Sequence, residues 1–208
     1  MARVTGPLHS DGASGTLGGA ITFSHWKGDR KYVRSCVIPK NPKAAKQVGV
    51  RVLMSFLAKT WKNIGSTPQA SWLTLANATS ISNFNAFVAN ALANWQDFLA
   101  PQQTYNATRT STPLTITTHT ATGGLRMVTN AITPSGTTAA WGIAIFRGST
   151  GFAPSWANCI AVVPWAVATA LTYVDSPLVA GTYYYRACTF QTDGVMGTIH
   201  AEVSGTAT

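Results

Sequence analysis

The chain has 208 residues, of which 46% are hydrophobic and 10% charged, and its formal net charge is +9. This hydrophobic content excludes a wholly disordered chain, and because no run of 18 apolar residues occurs, we expect no membrane-spanning helix. The first seven residues lack the apolar stretch of a signal peptide, so we expect folding in a cytosol. The length allows one large domain or two of roughly 100 residues.

The charge is concentrated in the first third of the chain. Residues 1–62 contain eleven of the fifteen basic side chains against only Asp11 and Asp29, which leaves this stretch with a charge of +9. The remaining 146 residues contain four basic and four acidic side chains and are neutral. Such a division predicts a docking half that meets a polyanionic or acidic partner, and a neutral half that is displayed.

Residues 20–37 predict a β-hairpin with a charged tip. Two segments, 21–24 and 32–37, are rich in β-branched and aromatic residues, and the turn-forming residues 27–30 lie between them. The basic side chains at the tip either contact phosphate groups or are simply solvated. We predict that the partner is bound by basic side chains of this hairpin and of the helix after it: Lys27, Arg30, Lys31, Arg34, Lys43, Lys46 and Arg51.

Three helices are predicted after the hairpin. Asn41 and Pro42 are typical of a helix N-terminus, with Asn41 as the capping residue. One face of this first helix is apolar and consists of Val50, Leu53, Met54, Leu57 and Trp61. A second helix over 68–78 places Trp72 and Leu75 in the core.

The third helix is predicted over 83–99. Its apolar face consists of Phe84, Phe87, Val88, Ala91, Leu92 and Trp95. The opposite face carries Asn, Ala and Gln with almost no charge. That face is either an ordinary surface or a contact with a neighbouring subunit.

The order of small, aromatic and basic residues over 14–80 resembles the opening region of a widespread group of uncharacterised bacteriophage proteins. The matching positions are 15–23, Tyr32, Val33, Arg34, Pro39, Asn41, Pro42, Gln47, Arg51, Phe56, Trp61, Pro68, Gln69 and Trp72. The resemblance implies a virion-associated or morphogenetic role, and it transfers no catalytic residue to this chain.

After a segment rich in Pro, Gln and Thr (101–112), the hydrophobic period changes from 3.6 to 2. Seven short strands are predicted, over 114–119, 125–129, 139–147, 159–163, 171–174, 182–191 and 197–203. This number and spacing favour a β-sandwich, with Trp141 as a core aromatic beneath the sheets.

The last strands resemble those of fibronectin type III domains. Residues 173–186 are similar to the passage from strand E to strand F, and residues 192–194, Thr-Asp-Gly, are similar to the F-to-G hairpin. The resemblance implies a corner tyrosine, Tyr183 or Tyr184, whose hydroxyl bonds back to the chain. Alternation favours Tyr183, because it puts this residue, Tyr185 and Ala187 on one face.

The predicted fold class is therefore α+β. A basic domain of β-hairpin and helices (1–100) is followed by a linker (101–112) and by an all-β, Ig-like or fibronectin type III-like sandwich (113–208). Domains of the second kind are typically adhesive or spacer modules, and the fold by itself names no ligand.

The sequence contains no pattern typical of catalysis, a cofactor or a metal site. Its four histidines and six carboxylates show no recognisable catalytic spacing, and no nucleophile-elbow or zinc-protease motif occurs. The three cysteines, Cys36, Cys159 and Cys188, favour free thiols, with a bridge between the last two as the alternative. We therefore expect a protein that is not an enzyme and has no cofactor.

These observations favour a structural protein of a tailed bacteriophage, located in the virion and assembled in the host cytoplasm. Capsid decoration or cement is the preferred assignment, with capsid or tail proteins as partners and a homo-oligomeric arrangement. The alternatives are a tail or neck component, or a nucleic-acid-binding protein that uses the basic half. A further alternative is receptor or glycan recognition through Trp156 and Trp165, for which burial is the competing interpretation.

Overall fold

The computed structural model describes residues 2–3, 15–26, 30–37, 44–136, 140–165 and 170–208. The chain divides into two compact units, Met1–Pro42 and Lys43–Thr208. Within the described residues, no helix is long and apolar enough to cross a membrane.

The first unit contains one antiparallel sheet in the order β1-β4-β3-β2. Its strands are β1 (Ala2–Arg3), β2 (Gly15–Leu17), β3 (Ile21–Trp26) and β4 (Arg30–Ser35). The predicted hairpin is confirmed, since β3 pairs with β4 from Ile21 opposite Ser35 to Trp26 opposite Arg30. Gly18 and Gly19 connect β2 to β3 with φ of 56° and 69°, a conformation that glycine adopts without steric cost.

In its described part, the second unit begins with four helices: α1 (Ala45–Trp61), α2 (Ser66–Ser71), α3 (Leu73–Thr79) and α4 (Asn83–Gln96). The second predicted helix is broken at Trp72, which ends α2 and precedes α3. Helix α1 begins at Ala45 with Ala44 in the cap position, and the predicted cap residue Asn41 lies outside the described residues. Ser82 caps α4 by accepting a hydrogen bond from the backbone N–H of Asn85 at 3.2 Å.

Among the residues from 116 onward that the structure describes, seven strands form two antiparallel sheets. They are β5 (Ile116–Gly124), β6 (Met127–Pro134), β7 (Gly142–Gly148), β8 (Cys159–Pro164), β9 (Leu171–Asp175), β10 (Gly181–Phe190) and β11 (Val203–Ala207). One sheet has the order β5-β6-β9 and the other β11-β10-β7-β8. The predicted α+β fold with a C-terminal β-sandwich is confirmed.

The predicted corner tyrosine is also confirmed. The hydroxyl of Tyr183 donates a hydrogen bond to the carbonyl of Val179 at 2.9 Å. Tyr183, Tyr185 and Ala187 contribute to the core between the two sheets. Arg186 points to the other face of β10, where its guanidinium lies 5.7 Å from the ring centroid of Phe152.

The last strand begins later than predicted. Residues 197–202 still bond to β10, through Gly197 N–H to Thr189 O and His200 N–H to Ala187 O, both at 2.8 Å. From the first of these bonds to the second, the chain before β11 moves on by three residues, whereas β10 moves by only two. A regular ladder cannot form across that bulge, so β11 starts only at Val203.

The sheet β11-β10-β7-β8, called the four-stranded sheet from here on, is buried on both faces. Ile143 and Ile145 of β7 pack against the three-stranded sheet, whereas Ala144 and Phe146 belong to the core shared with the helices. Strand β7 therefore reads as a continuous apolar run rather than an alternating one. The second unit has three layers: helices, the four-stranded sheet and the three-stranded sheet.

Trp141 is a buried core aromatic, as the sequence predicted. Its ring centroid is 5.1 Å from that of Phe56 on α1 and 5.9 Å from that of Phe190 on β10. It belongs to the core between the helices and the four-stranded sheet. The helices, rather than the three-stranded sheet, therefore cover this side chain.

The structure divides the chain differently from the predicted boundary at 101–112, since the helices and the sandwich share one compact unit. The segment 101–112 forms hydrogen bonds both to the helices and to the connection between β10 and β11. Trp72 Nε1 donates to Gln103 O at 2.8 Å, and Gln103 N–H donates to Thr192 O at 2.8 Å. Asp193 accepts from Ser111 Oγ at 2.6 Å. Although its composition is typical of a linker, the segment 101–112 connects the helices to the β10–β11 connection. We call this segment the strap.

All three cysteines are free thiols. Cys159 on β8 and Cys188 on β10 are buried on the helix-facing side of the sheet, with β7 between their strands. Two strand spacings, roughly 9–10 Å, and an offset of two residues along β7 separate them, which is beyond the reach of a disulfide. Burial raises the pKa of the Cys188 thiol to about 12.

Candidate functional site

Three of the four predicted basic residues of the hairpin belong to β4. Lys27 lies outside the described residues, and Arg30 and Lys31 belong to β4. Arg34, opposite Thr22 in the sheet, has an exposed side chain. All four belong to the first compact unit.

The predicted basic residues of the second unit lie on or before α1. Lys43 is outside the described residues, whereas Lys46 and Arg51 are exposed on the first half of the helix. Lys59 and Lys62, at its other end, are exposed as well. Helix α1 contains no acidic residue, so its solvent face is uniformly basic or neutral.

A groove of about 310 Å³ joins two of these basic residues to an indole ring. It is lined by Lys46, Gln47, Val50 and Arg51 from α1, and by Trp156 from the segment between β7 and β8. Val50 and the half-buried Trp156 supply apolar surface, and the two basic side chains supply positive charge. We call this feature the basic groove.

The position of Trp156 is determined by a hydrogen-bonded turn. Trp156–Asn158 form one turn of 3₁₀-helix directly before β8. Ser155 N–H donates to Asn158 Oδ1 at 2.8 Å, and Asn158 Nδ2 donates to Ala153 O at 2.9 Å. The side chain of Asn158, at the end of the turn, thus bonds to two residues before it and stabilises the turn that carries the indole.

Gly49 determines how closely α1 approaches this turn. It is buried, and a Cβ built at this position would overlap the carbonyl oxygen of Trp156. The requirement is one of space, because Gly49 has ordinary helical geometry. The missing side chain lets the first half of α1 lie against Trp156 and close the groove.

The electrostatics of the groove favour an anionic ligand. Lys46 lies in the first turn of α1, where the helix dipole already contributes positive potential. Three carboxylates of the second unit bond elsewhere: Asp175 to Arg147 at 2.6 Å, Glu202 to Gly151 N–H at 2.8 Å, and Asp193 to Ser111. A bound carboxylate or phosphate would relieve the unfavourable position of Lys46.

A second cavity of about 390 Å³ lies where α1 ends. It is lined by Thr60, Asn63, Ile64, Gln103, Ala140, Trp141, Pro164, Trp165 and Thr192. Trp165, one of the two predicted ligand-binding aromatics, is only 7% exposed and packs into the sandwich core. The other, Trp156, is the one that contributes to an open surface.

The sequence predicted Lys46 and Arg51 as partner-binding residues, but it did not predict their association with Trp156. The indole lies more than 100 positions further along the chain, and no local pattern connects the two. One local signal was present: Gly49 lies inside a helix, where glycine is unfavourable unless close packing requires it. Within the ranges that the structure describes, no group of three or more His, Cys, Asp or Glu side chains is placed to hold a metal ion.

Comparisons with known proteins found no matching family model and no matching curated protein. Two solved structures are similar over 47% of this chain: a β-1,2-glucanase from Parabacteroides distasonis (17% identity, TM-score 0.34) and an Fn3-like protein from Clostridium thermocellum (19% identity, TM-score 0.33). The match spans 14% of the glucanase and 96% of the Fn3-like protein. At these TM-scores neither likeness carries an argument about function, and the sandwich assignment stands on the strand order and the tyrosine corner.

Proposed function

We propose that this protein is a non-enzymatic structural component of a bacteriophage virion, most simply a capsid decoration or cement protein. In this proposal the basic residues bind an acidic surface of the particle, and the neutral sandwich is displayed. A tail or neck location is the alternative within the same proposal.

The basic groove is the observation that carries this proposal. It combines Lys46 and Arg51 with Val50 and Trp156, so it suits a segment that offers both carboxylates and an apolar side chain. Such segments occur on protein surfaces, whereas a free small anion would not use the indole. The repeated subunits of a particle would present the same segment many times, which implies many copies of this chain.

The first test is the number of copies in purified virions, measured by quantitative mass spectrometry against the major capsid protein. Copies in the hundreds support a place on the head lattice or along the tail tube. About three to twelve copies support a neck, baseplate or fibre location. Complete absence from the particle overturns the virion proposal.

A second test separates the groove from general electrostatic attraction. Lys46→Glu with Gln47→Glu changes the charge of two adjacent groove residues, and Ala58→Glu with Lys59→Glu makes the same change at exposed positions near the end of α1. We expect the groove variant to bind particles about tenfold more weakly, equivalent to about 1.4 kcal/mol, and the control to bind normally. Equal loss in both variants would assign binding to total charge, and no loss in either would reject electrostatic anchoring.

Nucleic acid is the alternative partner for the same groove, because an indole beside two cations can also stack on a base and contact a phosphate. Titration of the full chain with single-stranded DNA at several salt concentrations distinguishes the two partners. Weak binding to DNA at physiological salt supports the virion proposal. Tight binding that falls steeply with salt and depends on Trp156 would assign the groove to nucleic acid.

A further inference from the structure

His119 and His200 form a pair at one edge of the sandwich, remote in sequence from the basic groove. His119 lies on β5 and is 5% exposed, and His200 lies on the segment before β11 and is partly exposed. Their ring centroids are 5.7 Å apart, with an angle of 66° between the planes. The pair therefore connects the three-stranded sheet to the chain that leads into the four-stranded sheet.

Hydrogen bonds determine which nitrogen of each ring carries its proton. His119 Nε2 lies 3.1 Å from Oδ1 of Asn130, which is fully buried, and His200 Nδ1 lies 2.9 Å from the carbonyl oxygen of Ala201. Both oxygens can only accept, so both of these nitrogens must donate. Nδ1 of His119 and Nε2 of His200 are left with free lone pairs in the neutral rings.

The lone pair of His119 is buried without a donor. Nδ1 of this ring has no hydrogen-bond partner among the residues that the structure describes. A buried polar atom of this kind destabilises the folded state unless a hydrogen bond or a bound ion satisfies it. A neighbouring imidazole that also offers a lone pair cannot satisfy it, whereas a cation shared by the two nitrogens can.

We propose that His119 and His200 bind one divalent transition-metal ion, of the class Zn²⁺, Ni²⁺ or Cu²⁺, through Nδ1 and Nε2. Imidazole nitrogen is a preferred ligand of these ions. Metal-binding histidines typically donate their other N–H to an oxygen, as both rings do here. A tetrahedral ion about 2.1 Å from each nitrogen places two ring centroids roughly 5–6 Å apart, which agrees with the observed separation.

The site has two protein ligands, and water molecules would complete the coordination. It is therefore a weaker site than a structural zinc centre with four ligands. The partial exposure of His200 gives the ion a path from solvent. A bound ion would connect β5 to the segment before β11 and so stabilise the folded sandwich, since binding to the native state alone shifts unfolding.

The test uses the full chain with ZnCl₂ and CuCl₂. We expect one Zn²⁺ per chain by isothermal titration calorimetry, a rise in Tm on addition of zinc, and nitrogen hyperfine structure from two imidazoles in the Cu²⁺ paramagnetic resonance spectrum. His200→Gln should weaken binding about tenfold or more and abolish the rise in Tm. His25→Gln, in the other compact unit, is the matched control and should change neither quantity.

Two results would overturn the proposal: no binding of either metal, or binding that His200→Gln leaves unchanged. Because His119 is buried, His119→Gln can fail to fold, which its circular dichroism spectrum would reveal. Asn130→Ala therefore serves as a second variant that retains both ligands. It should weaken zinc binding while the wild-type stoichiometry of one ion remains.

Discussion

The carboxylate of Asp193 accepts four hydrogen bonds. Oδ2 accepts from the N–H groups of Thr110 and Ser111 at 2.9 and 2.8 Å, and Oδ1 accepts from Ser111 Oγ at 2.6 Å and Val195 N–H at 3.1 Å. Burial by itself would raise the pKa of Asp193, but the bonds from Ser111, Val195 and Thr110 lower it to about 2. At the scale of the residue, one ionised side chain attaches the strap to the β10–β11 connection.

Asp193→Asn should therefore destabilise the protein by about 1–2 kcal/mol, because in either orientation of the amide its nitrogen replaces an oxygen that accepts from at least one backbone N–H. The folded pKa lies below the unfolded value of about 3.9, so the stabilisation is present above about pH 4 and is lost as the pH falls toward 2. Urea denaturation over this pH range measures it.

The exposed Asp97 offers the control, since Asp97→Asn should change stability by less than about 0.5 kcal/mol. The Asp193→Asn variant should lose less stability on acidification than the wild type does. Parallel pH profiles for the two proteins would show that Asp193 does not hold the strap.

At the scale of the element, the two faces of α1 have different surroundings. Leu53, Phe56 and Leu57 are buried against the sheet, while Lys46 and Arg51 remain exposed beside Trp156. The contact of its first half with the 3₁₀ turn depends on the absence of a side chain at position 49. Packing of the helix and shape of the groove are therefore coupled.

Gly49→Ala should destabilise the protein by about 1–3 kcal/mol, although alanine is the better helix former by about 1 kcal/mol. The added Cβ would meet the carbonyl oxygen of Trp156 and push α1 away from the turn. Denaturant unfolding measures the stability, and particle binding should weaken as well.

Ser55→Ala, at an exposed position of the same helix, is the matched control for helix propensity. It should be neutral or slightly stabilising, by a few tenths of a kcal/mol. If Gly49→Ala were as stable as the control, the close approach of α1 to Trp156 would be refuted.

At the scale of the whole molecule, the helices and the sandwich depend on the same core. Phe56 of α1 contacts Trp141 and Phe190 with ring centroids 5.1 and 5.4 Å away. Trp95 of α4 stacks on Phe146 of β7 at 6.4 Å. Removal of the helices would expose one complete face of the four-stranded sheet, so residues 43–208 should unfold together.

Phe56→Ala should lower the free energy of unfolding by about 3–5 kcal/mol. The helical far-UV signal and the near-UV signal of the sandwich aromatics should shift together to lower denaturant concentration. Leu73→Ala, at a position 50% exposed on α3, controls for the loss of a large apolar side chain and should have little effect. Separate transitions for helices and strands would support the predicted boundary at 101–112 instead.

Much of the local structure followed from the sequence. The change of period from 3.6 to 2 distinguished the helices from the strands, and the alternating direction of successive side chains in β10 favoured Tyr183 as the corner tyrosine. Exposed basic residues on α1 were also identified, because lysine and arginine seldom lie in a core. These features depend on neighbours in the chain, which a sequence displays directly.

What covers each apolar face was decided only by the tertiary structure. Hydrophobic burial has no direction, so the apolar stripe of α1 could not reveal that it packs on the outer face of the sandwich. For the same reason, the predicted burial of Trp141 did not reveal which of the two cores contains it. The same limit applies to the sites. Trp156 is distant in sequence from Lys46, and His119 is distant from His200. Only the packing of the three layers brings these side chains together.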